Sequence, residues 1–213
     1  MKKHIKKDFG LYAIVTNPIH GYDYMANLIV EHEVAVLQLR MKEESKFQIL
    51  KTAESIRRIT QNSKTVFIVN DFIDIAKDSG ADGVHIGQND GKPETVRNFL
   101  GQDAIIGLST HNLEQTEAAQ NELIDYVGVG PVYLTPTKEI PDPVLGLENM
   151  RKMVVASKLP SVCIGGIGLG RIREVLQAGA HNFSVVRLIN KAENPKEVLT
   201  KISDVYRRFC LYR

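Results

Sequence analysis

Arg40, Lys42 and Lys138 are three cations, and Asp71 and Asp90 two carboxylates, each standing beyond the end of a short apolar run. Such a set suits a magnesium–diphosphate ligand: hard carboxylate oxygens hold the ion, and cations take the remaining phosphate charge. Arg40 and Lys42 are two residues apart in QLRMK, so on an extended chain they point to the same side. Singly, each charge has an ordinary reading. Asp71 would cap a helix starting at Phe72, Asp90 would sit in a turn before Pro93, and Arg40 would pair with Asp71. The weight rests on the cluster.

The stretch GPVYLTPTKEI (130–140) puts two threonines around a proline and then Lys138. It reads either as turn chemistry with a solvated lysine or as a turn that holds phosphate or a small polar ligand. Gly165-Gly166 after an apolar run lets a phosphate approach backbone amides at a following helix start, or else makes a tight turn. His85 falls inside an apolar run and is expected in the core or lumen with a hydrogen bond. His111, beside a helix start, is an acid–base candidate or a structural residue, and Cys163 is packing. No Cys/His metal spacing and no nucleophile–base pair is readable.

The elements that must position these groups recur along the chain. Apolar, β-branched runs stand at 11–16, 35–39, 65–69, 83–87, 104–108, 126–130, 161–165 and 182–186. Amphipathic patterns lie between most of them. From Lys46 to Thr60, Phe47, Leu50, Ala53, Ile56 and Ile59 make one stripe. Asn194 is expected to cap a helix with Pro195 at its first position and Val198, Leu199, Ile202, Val205 and Tyr206 on its apolar face. Near-continuous apolar strands alternating with helices indicate a parallel sheet, and eight units in this length favour a closed (β/α)₈ TIM barrel. Residues 1–213 are expected to form one barrel domain, with 1–9 as a short N-terminal extension. Such a barrel does its chemistry at the C-terminal ends of its strands, where the groups named above, His85 and Cys163 apart, fall on one rim.

The 213 residues are 43% hydrophobic and 24% charged, a soluble globular composition, and a net charge of +2 gives no nucleic-acid-binding field. The basic start MKKHIKK precedes only a brief apolar stretch, too short for a signal core. No run approaches the roughly 18 apolar residues of a membrane span. Cys163 and Cys210 make no disulfide framework. A cytoplasmic protein with small-molecule partners is expected, with neither nucleic acid nor membrane among them; a homo-oligomer is left open.

The ordered motifs QLRMK, VNDF, ADGVHIGQND, GLSTH, YVGVGPVYLTPTK and IGGI closely resemble the thiamine phosphate synthases over nearly the whole chain. The resemblance implies a (β/α)₈ barrel that joins a hydroxymethylpyrimidine diphosphate to a thiazole phosphate, plain or carboxylated, and releases diphosphate. By motif, Gln38, Leu39, Arg40, Met41, Lys42, Asn70, Ser109 and Lys138 would hold the pyrimidine diphosphate, with Arg40, Lys42, Lys138 and Ser109 as the catalytic groups. Asp71 and Asp90 would hold one Mg²⁺. Thr135, Pro136, Thr137, Gly166, Val186 and Arg187 would face the thiazole phosphate. The implied reaction needs no protein nucleophile: diphosphate departs, and the thiazole nitrogen captures a pyrimidine methyl cation.

The chain departs from the family pattern at Arg187, where a small serine is usual, and at His181-Asn182, where Asp-Gly is usual. Arg187 would either clamp the thiazole phosphate or occlude its site. Two rival readings are a thiazole tautomerase and a degenerate barrel that binds thiamine precursors without turnover. The TPTK turn and the Asp71/Asp90 pair weigh against the tautomerase, whereas the Ser109-x-His111 motif is common to both families.

Overall fold

The computed structural model describes residues 3–135 and 143–211. Each apolar run contains a strand: β1 (Leu11–Val15), β2 (Val36–Leu39), β3 (Val66–Asn70), β4 (Gly83–Ile86), β5 (Ile105–Thr110), β6 (Tyr126–Val129), β7 (Ser161–Cys163) and β8 (Asn182–Val185). They pair in parallel in chain order, and β8 returns to β1 to close the barrel. The strands alternate with α1 (Tyr22–Glu31), α2 (Lys46–Thr60), α3 (Ile73–Asp78), α4 (Pro93–Leu100), α5 (Leu113–Ala119), α6 (Gly146–Ala156) and α7 (Leu169–Gln177). The short α8 (Arg187–Asn190) and the terminal α9 (Pro195–Leu211) follow β8. None of the described helices is long and apolar enough to cross a membrane.

The two faces of each strand bury different partners, which is why the runs are apolar throughout rather than alternating. Leu37, Leu39, Phe67 and Val69 pack outward against Met25, Ile29, Ile49 and Ile56 of the helices. Tyr12, Ile14, Val36, Val66, Ile68, Ile105, Tyr126 and Val162 fill the lumen. Cys163 is buried in β7, and burial alone pushes its thiol up to about 12, which fits a packing residue.

The helix over 46–60 has the expected bounds, and Ser45 Oγ caps it by accepting from the Gln48 amide at 3.2 Å. Its stripe needs one correction. Phe47 is 66% exposed, with the Lys51 ammonium 4.5 Å over its ring. The buried line runs through Ile49, Ala53, Ile56 and Thr60, and at 3.6 residues per turn Phe47 lies about 160° from Ile49. In α9, Asn194 Oδ1 accepts from the Glu197 amide at 3.2 Å, and Leu199 and Ile202 are buried, as the sequence indicates.

Residues 3–9 close the bottom of the barrel. Ile5 and Phe9 pack against the lumen cluster. Lys3 Nζ reaches Asp82 at 3.0 Å and the carbonyls of Thr60 and Thr65 at 2.9 and 2.5 Å. Asn182, where the family pattern has glycine, anchors this segment. Its Oδ1 accepts from the amides of Phe9 and Gly10 at 2.6 and 3.0 Å, and its Nδ2 donates to the Lys7 and Ser161 carbonyls at 2.8 and 3.1 Å. His181 Nδ1 lies 2.8 Å from Asp8. The His181-Asn182 departure is therefore a device of the closed end, remote from the C-terminal mouth.

Asn182→Ala strands buried backbone groups that water reaches poorly, a loss on the order of 2–3 kcal/mol. The expected result is a lower denaturant midpoint with turnover per folded molecule unchanged. An unchanged midpoint would mean that the segment does not depend on this anchor.

Candidate active site

The C-terminal mouth opens into a cavity of about 580 Å³ that reaches down into the lumen. Of the residues expected at the site, Gln38, Arg40, Asn70, Ser109, Thr135, Gly166, Val186 and Arg187 line it. Leu39 and Met41 do not. Their side chains are 1% and 5% exposed in the layer between barrel and helices, so any contact they offer a ligand is through backbone. Pro136, Thr137 and Lys138 lie outside the described residues.

Lys42, Asp71 and Asp90 form the rim beside the cavity. Asp71 sits past β3 in the left-handed region at φ 64°, a conformation that aspartate tolerates, with its amide donating to the His85 carbonyl at 2.9 Å. It is not a helix cap: α3 begins at Ile73 with Phe72 in the cap position. Its carboxylate pairs with Lys42, at 3.3 Å, as its ion-pair partner rather than with Arg40. Burial pushes the Asp71 carboxyl above the usual range; Lys42 works against that shift and Asp90 adds to it. Asp90 Oδ2 also accepts from the Gly87 amide at 2.7 Å.

Two carboxylates held against each other, one of them half-desolvated, are under-neutralised by Lys42, the one ammonium that pairs with them among the described residues. That donor set fits a hard divalent ion such as Mg²⁺, which takes one or two carboxylates and fills its remaining positions with water and substrate phosphate. Among the described residues no group of three carboxylate, His or Cys side chains converges, so a site built wholly from protein is not formed. Arg40 lines the cavity on the side of this rim: burial holds its guanidinium below the ordinary value and Asp71 works against that shift. It remains charged at any physiological pH.

Across the mouth, the loop after β6 packs on the loop after β7. Val132 and Tyr133 amides donate to the Ile164 and Gly165 carbonyls at 2.8 and 3.0 Å. Gly166 has φ 64°, and a Cβ there would stand 2.6 Å from the Leu134 carbonyl oxygen, so only glycine fits. Arg171 braces the turn by donating to the Gly166 carbonyl at 3.0 Å while stacking 4.3 Å over the Tyr133 ring. The Gly166–Gly168 backbone then runs along the cavity into the N-terminus of α7, which has no side-chain cap. Open first-turn amides facing a cavity suit an anion. Arg187 is exposed at the edge, at the start of α8.

The lumen wall holds a chain of hydrogen bonds that the sequence only hinted at. Gln38 Nε2 is 3.0 Å from Tyr12 Oη, Tyr12 Oη 2.8 Å from Tyr126 Oη, Tyr126 Oη 3.0 Å from His85 Nδ1, and His85 Nε2 2.9 Å from Ser109 Oγ. His85 is thus the hydrogen-bonded lumen residue it was expected to be. His111 lines the cavity with Nδ1 2.7 Å from the Gly130 carbonyl. Tyr12, Tyr126 and the cavity-lining Lys191 were missed. The signal for the tyrosines was their place on the lumen face of β1 and β6. For Lys191, two turns of chain past β8, the sequence carried no signal.

Residues 11–189 match the sequence model of the family described as thiamine monophosphate synthase. The chain belongs to the thiamine-phosphate synthase family. Among relatives, it is 38% identical to the thiamine-phosphate synthase of Caldicellulosiruptor saccharolyticus over 98% of this chain and 96% of that protein. It is 39% identical to that of Shouchella clausii over 89% of this chain and 92% of the relative. In structure it resembles the thiamine phosphate pyrophosphorylase of Pyrococcus furiosus, with a TM-score of 0.86 and 28% identity over 94% of this chain and 96% of that one. The thiamine-phosphate synthase barrel accordingly extends over the whole length from β1 to α9.

Proposed function

We propose that this chain is a thiamine phosphate synthase, a transferase that works as one barrel domain in the cytoplasm. It joins 4-amino-2-methyl-5-hydroxymethylpyrimidine diphosphate to 4-methyl-5-(2-hydroxyethyl)thiazole phosphate, or its carboxylated form, and releases diphosphate. The observation that carries this reading is a cavity flanked by two edges suited to anions: Arg40 with the neighbouring Lys42, Asp71 and Asp90 past β2–β4, and the Gly165–Gly168 backbone past β7. A tautomerase acting on one phosphorylated thiazole has no use for the first edge.

In this reading Arg40, Lys42 and Lys138 bind the diphosphate, and Asp71 and Asp90 hold Mg²⁺. The metal, when bound, supplies charge that stabilises the leaving diphosphate. Gln38, Asn70 and Ser109 hold the pyrimidine ring over the lumen. Thr135, Thr137, Gly166, Val186 and Arg187 hold the thiazole phosphate so that the thiazole nitrogen faces the pyrimidine methylene carbon. Departure of diphosphate leaves a methyl cation stabilised by the aminopyrimidine, and the nitrogen captures it. Positioning and electrostatics do the work, with no covalent protein intermediate.

Mixing the purified protein with both substrates and Mg²⁺ tests this reading; thiamine phosphate and diphosphate are expected in equal amounts. Folded protein that forms neither product would leave the degenerate barrel, and isomerised thiazole without coupling would leave the tautomerase.

Arg187 is exposed at the cavity edge, which supports a clamp on the thiazole phosphate over a plug in its site. A charged hydrogen-bonded contact contributes about 1.5–3 kcal/mol, so Arg187→Ser should raise the KM for thiazole phosphate by about tenfold or more. The KM for the pyrimidine diphosphate should stay nearly constant. Steady-state kinetics varying each substrate in turn measure this, and higher activity in the serine variant would identify arginine as the plug.

A further inference from the structure

The lumen chain from Gln38 to Ser109 runs across β2, β1, β6, β4 and β5, with every link between 2.8 and 3.0 Å. The barrel makes room for it. A Cβ at Gly107 would lie 2.1 Å from Tyr126 Cζ and 2.5 Å from His85 Nδ1, and one at Gly128 would lie 3.1 Å from His85 Cε1. Two glycines inside strands, where glycine weakens a strand, are explained by this close approach of ring to backbone.

We propose that Tyr12, Tyr126 and His85 form a hydrogen-bond relay of fixed polarity that makes Ser109 a donor and Gln38 an acceptor toward the cavity, so that the site selects an aminopyrimidine over its oxo analogue. The inference rests on the coupling reaction proposed above. Tyr126 and His85 are positioning residues in it.

The polarity is set by the Gln38 amide, whose Nε2 faces Tyr12 Oη, and is carried along the chain by counting hydrogens. Burial raises both phenols well above their ordinary range, so each hydroxyl stays protonated and must place one hydrogen. Tyr12 Oη accepts from the Gln38 amide, so its own hydrogen goes to Tyr126 Oη. Tyr126 then donates to His85 Nδ1. With Nδ1 an acceptor, the ring proton sits on Nε2 and is donated to Ser109 Oγ. The Ser109 hydroxyl hydrogen is left for the cavity, and Gln38 keeps its Oε1 for the same purpose. An aminopyrimidine edge offers the complement, an amino N–H beside a ring nitrogen acceptor. The oxo analogue offers the reverse pattern, and a site built to hydrogen-bond one pattern rejects the other strongly.

Two measurements test this. Long-range ¹H–¹⁵N spectra of the free protein, with His85 assigned among the six histidines by its loss in His85→Gln, should show Nε2 protonated and Nδ1 unprotonated. A proton on Nδ1 would reverse the relay and overturn the proposal. The second measurement compares kcat/KM for the aminopyrimidine diphosphate and its 4-oxo analogue. Tyr126→Phe frees Ser109 to turn, so the preference for the amino substrate should narrow at least tenfold. Equal proportional losses on both substrates would mean a merely structural tyrosine and would also overturn the proposal. Should Tyr126→Phe fail to fold, Tyr12→Phe frees the Gln38 amide to turn, and the same narrowing of preference is expected from that end of the chain. A wild-type protein without coupling activity would refute the function proposed above, while the histidine spectrum would still decide the relay.

Discussion

Asp71→Asn is expected to lower turnover on the order of 10³-fold, and Asp90→Asn to act in the same direction. A bound metal contributes several kcal/mol to stabilising the leaving charge, and about 1.4 kcal/mol corresponds to each tenfold in rate. The same Asp71 variant should be more stable than the parent when Mg²⁺ is absent. The folded protein holds the Asp71 proton more tightly than the unfolded chain, through burial and Asp90. The stability this proton brings is present at low pH and is lost as pH rises through the raised folded-state value. Ionised Asp71 is therefore a cost at neutral pH, one that asparagine removes. Thermal unfolding in EDTA measures the stability arm and single-turnover kinetics the activity arm. Full activity in excess EDTA would refute the metal role outright.

Lys138→Ala is expected to lower kcat by about 10²–10³, the usual effect of deleting one preorganised group that faces developing charge. Charge on the departing diphosphate grows toward the transition state, so kcat should fall more than affinity for the pyrimidine diphosphate. Lys138 follows the cavity-lining Thr135 by three residues, within the turn the family motif assigns to both substrates. A rise in KM alone would make Lys138 a uniform binding contact. Lys138→Arg keeps the charge but not its reach, and partial recovery there would assign the effect to charge.

The residues that carry the reading were legible because chemistry and position coincide in a barrel of this kind. Arg40, Asn70, Asp71, Asp90 and Ser109 all stand at or just past strand ends, and an apolar run followed by a charged or polar residue can be read one strand at a time. The limits of α2 were equally plain, because Ser45 and the 3.6-residue period are local signals. The face of that helix was less so, and Phe47 was assigned to the wrong side. A first-turn aromatic can cover its own helix under Lys51 instead of entering the core, and only the neighbouring elements decide which.

By itself the sequence determined the barrel, its eight strands, the family and most of the rim, since each depends on order and period along the chain. Tertiary structure alone decided the pairings. Asp71 meets Lys42 rather than Arg40, a pairing between the loops after β2 and β3 that no local pattern gives away. Asn182 serves the closed end of the barrel, because β8 starts beside residues 7–10. Tyr12, Tyr126 and His85 stand on strands distant in sequence, and they touch only because closing the sheet brings β1, β4 and β6 round a common axis. Contacts across a lumen have no period in the chain, so no local pattern announces them.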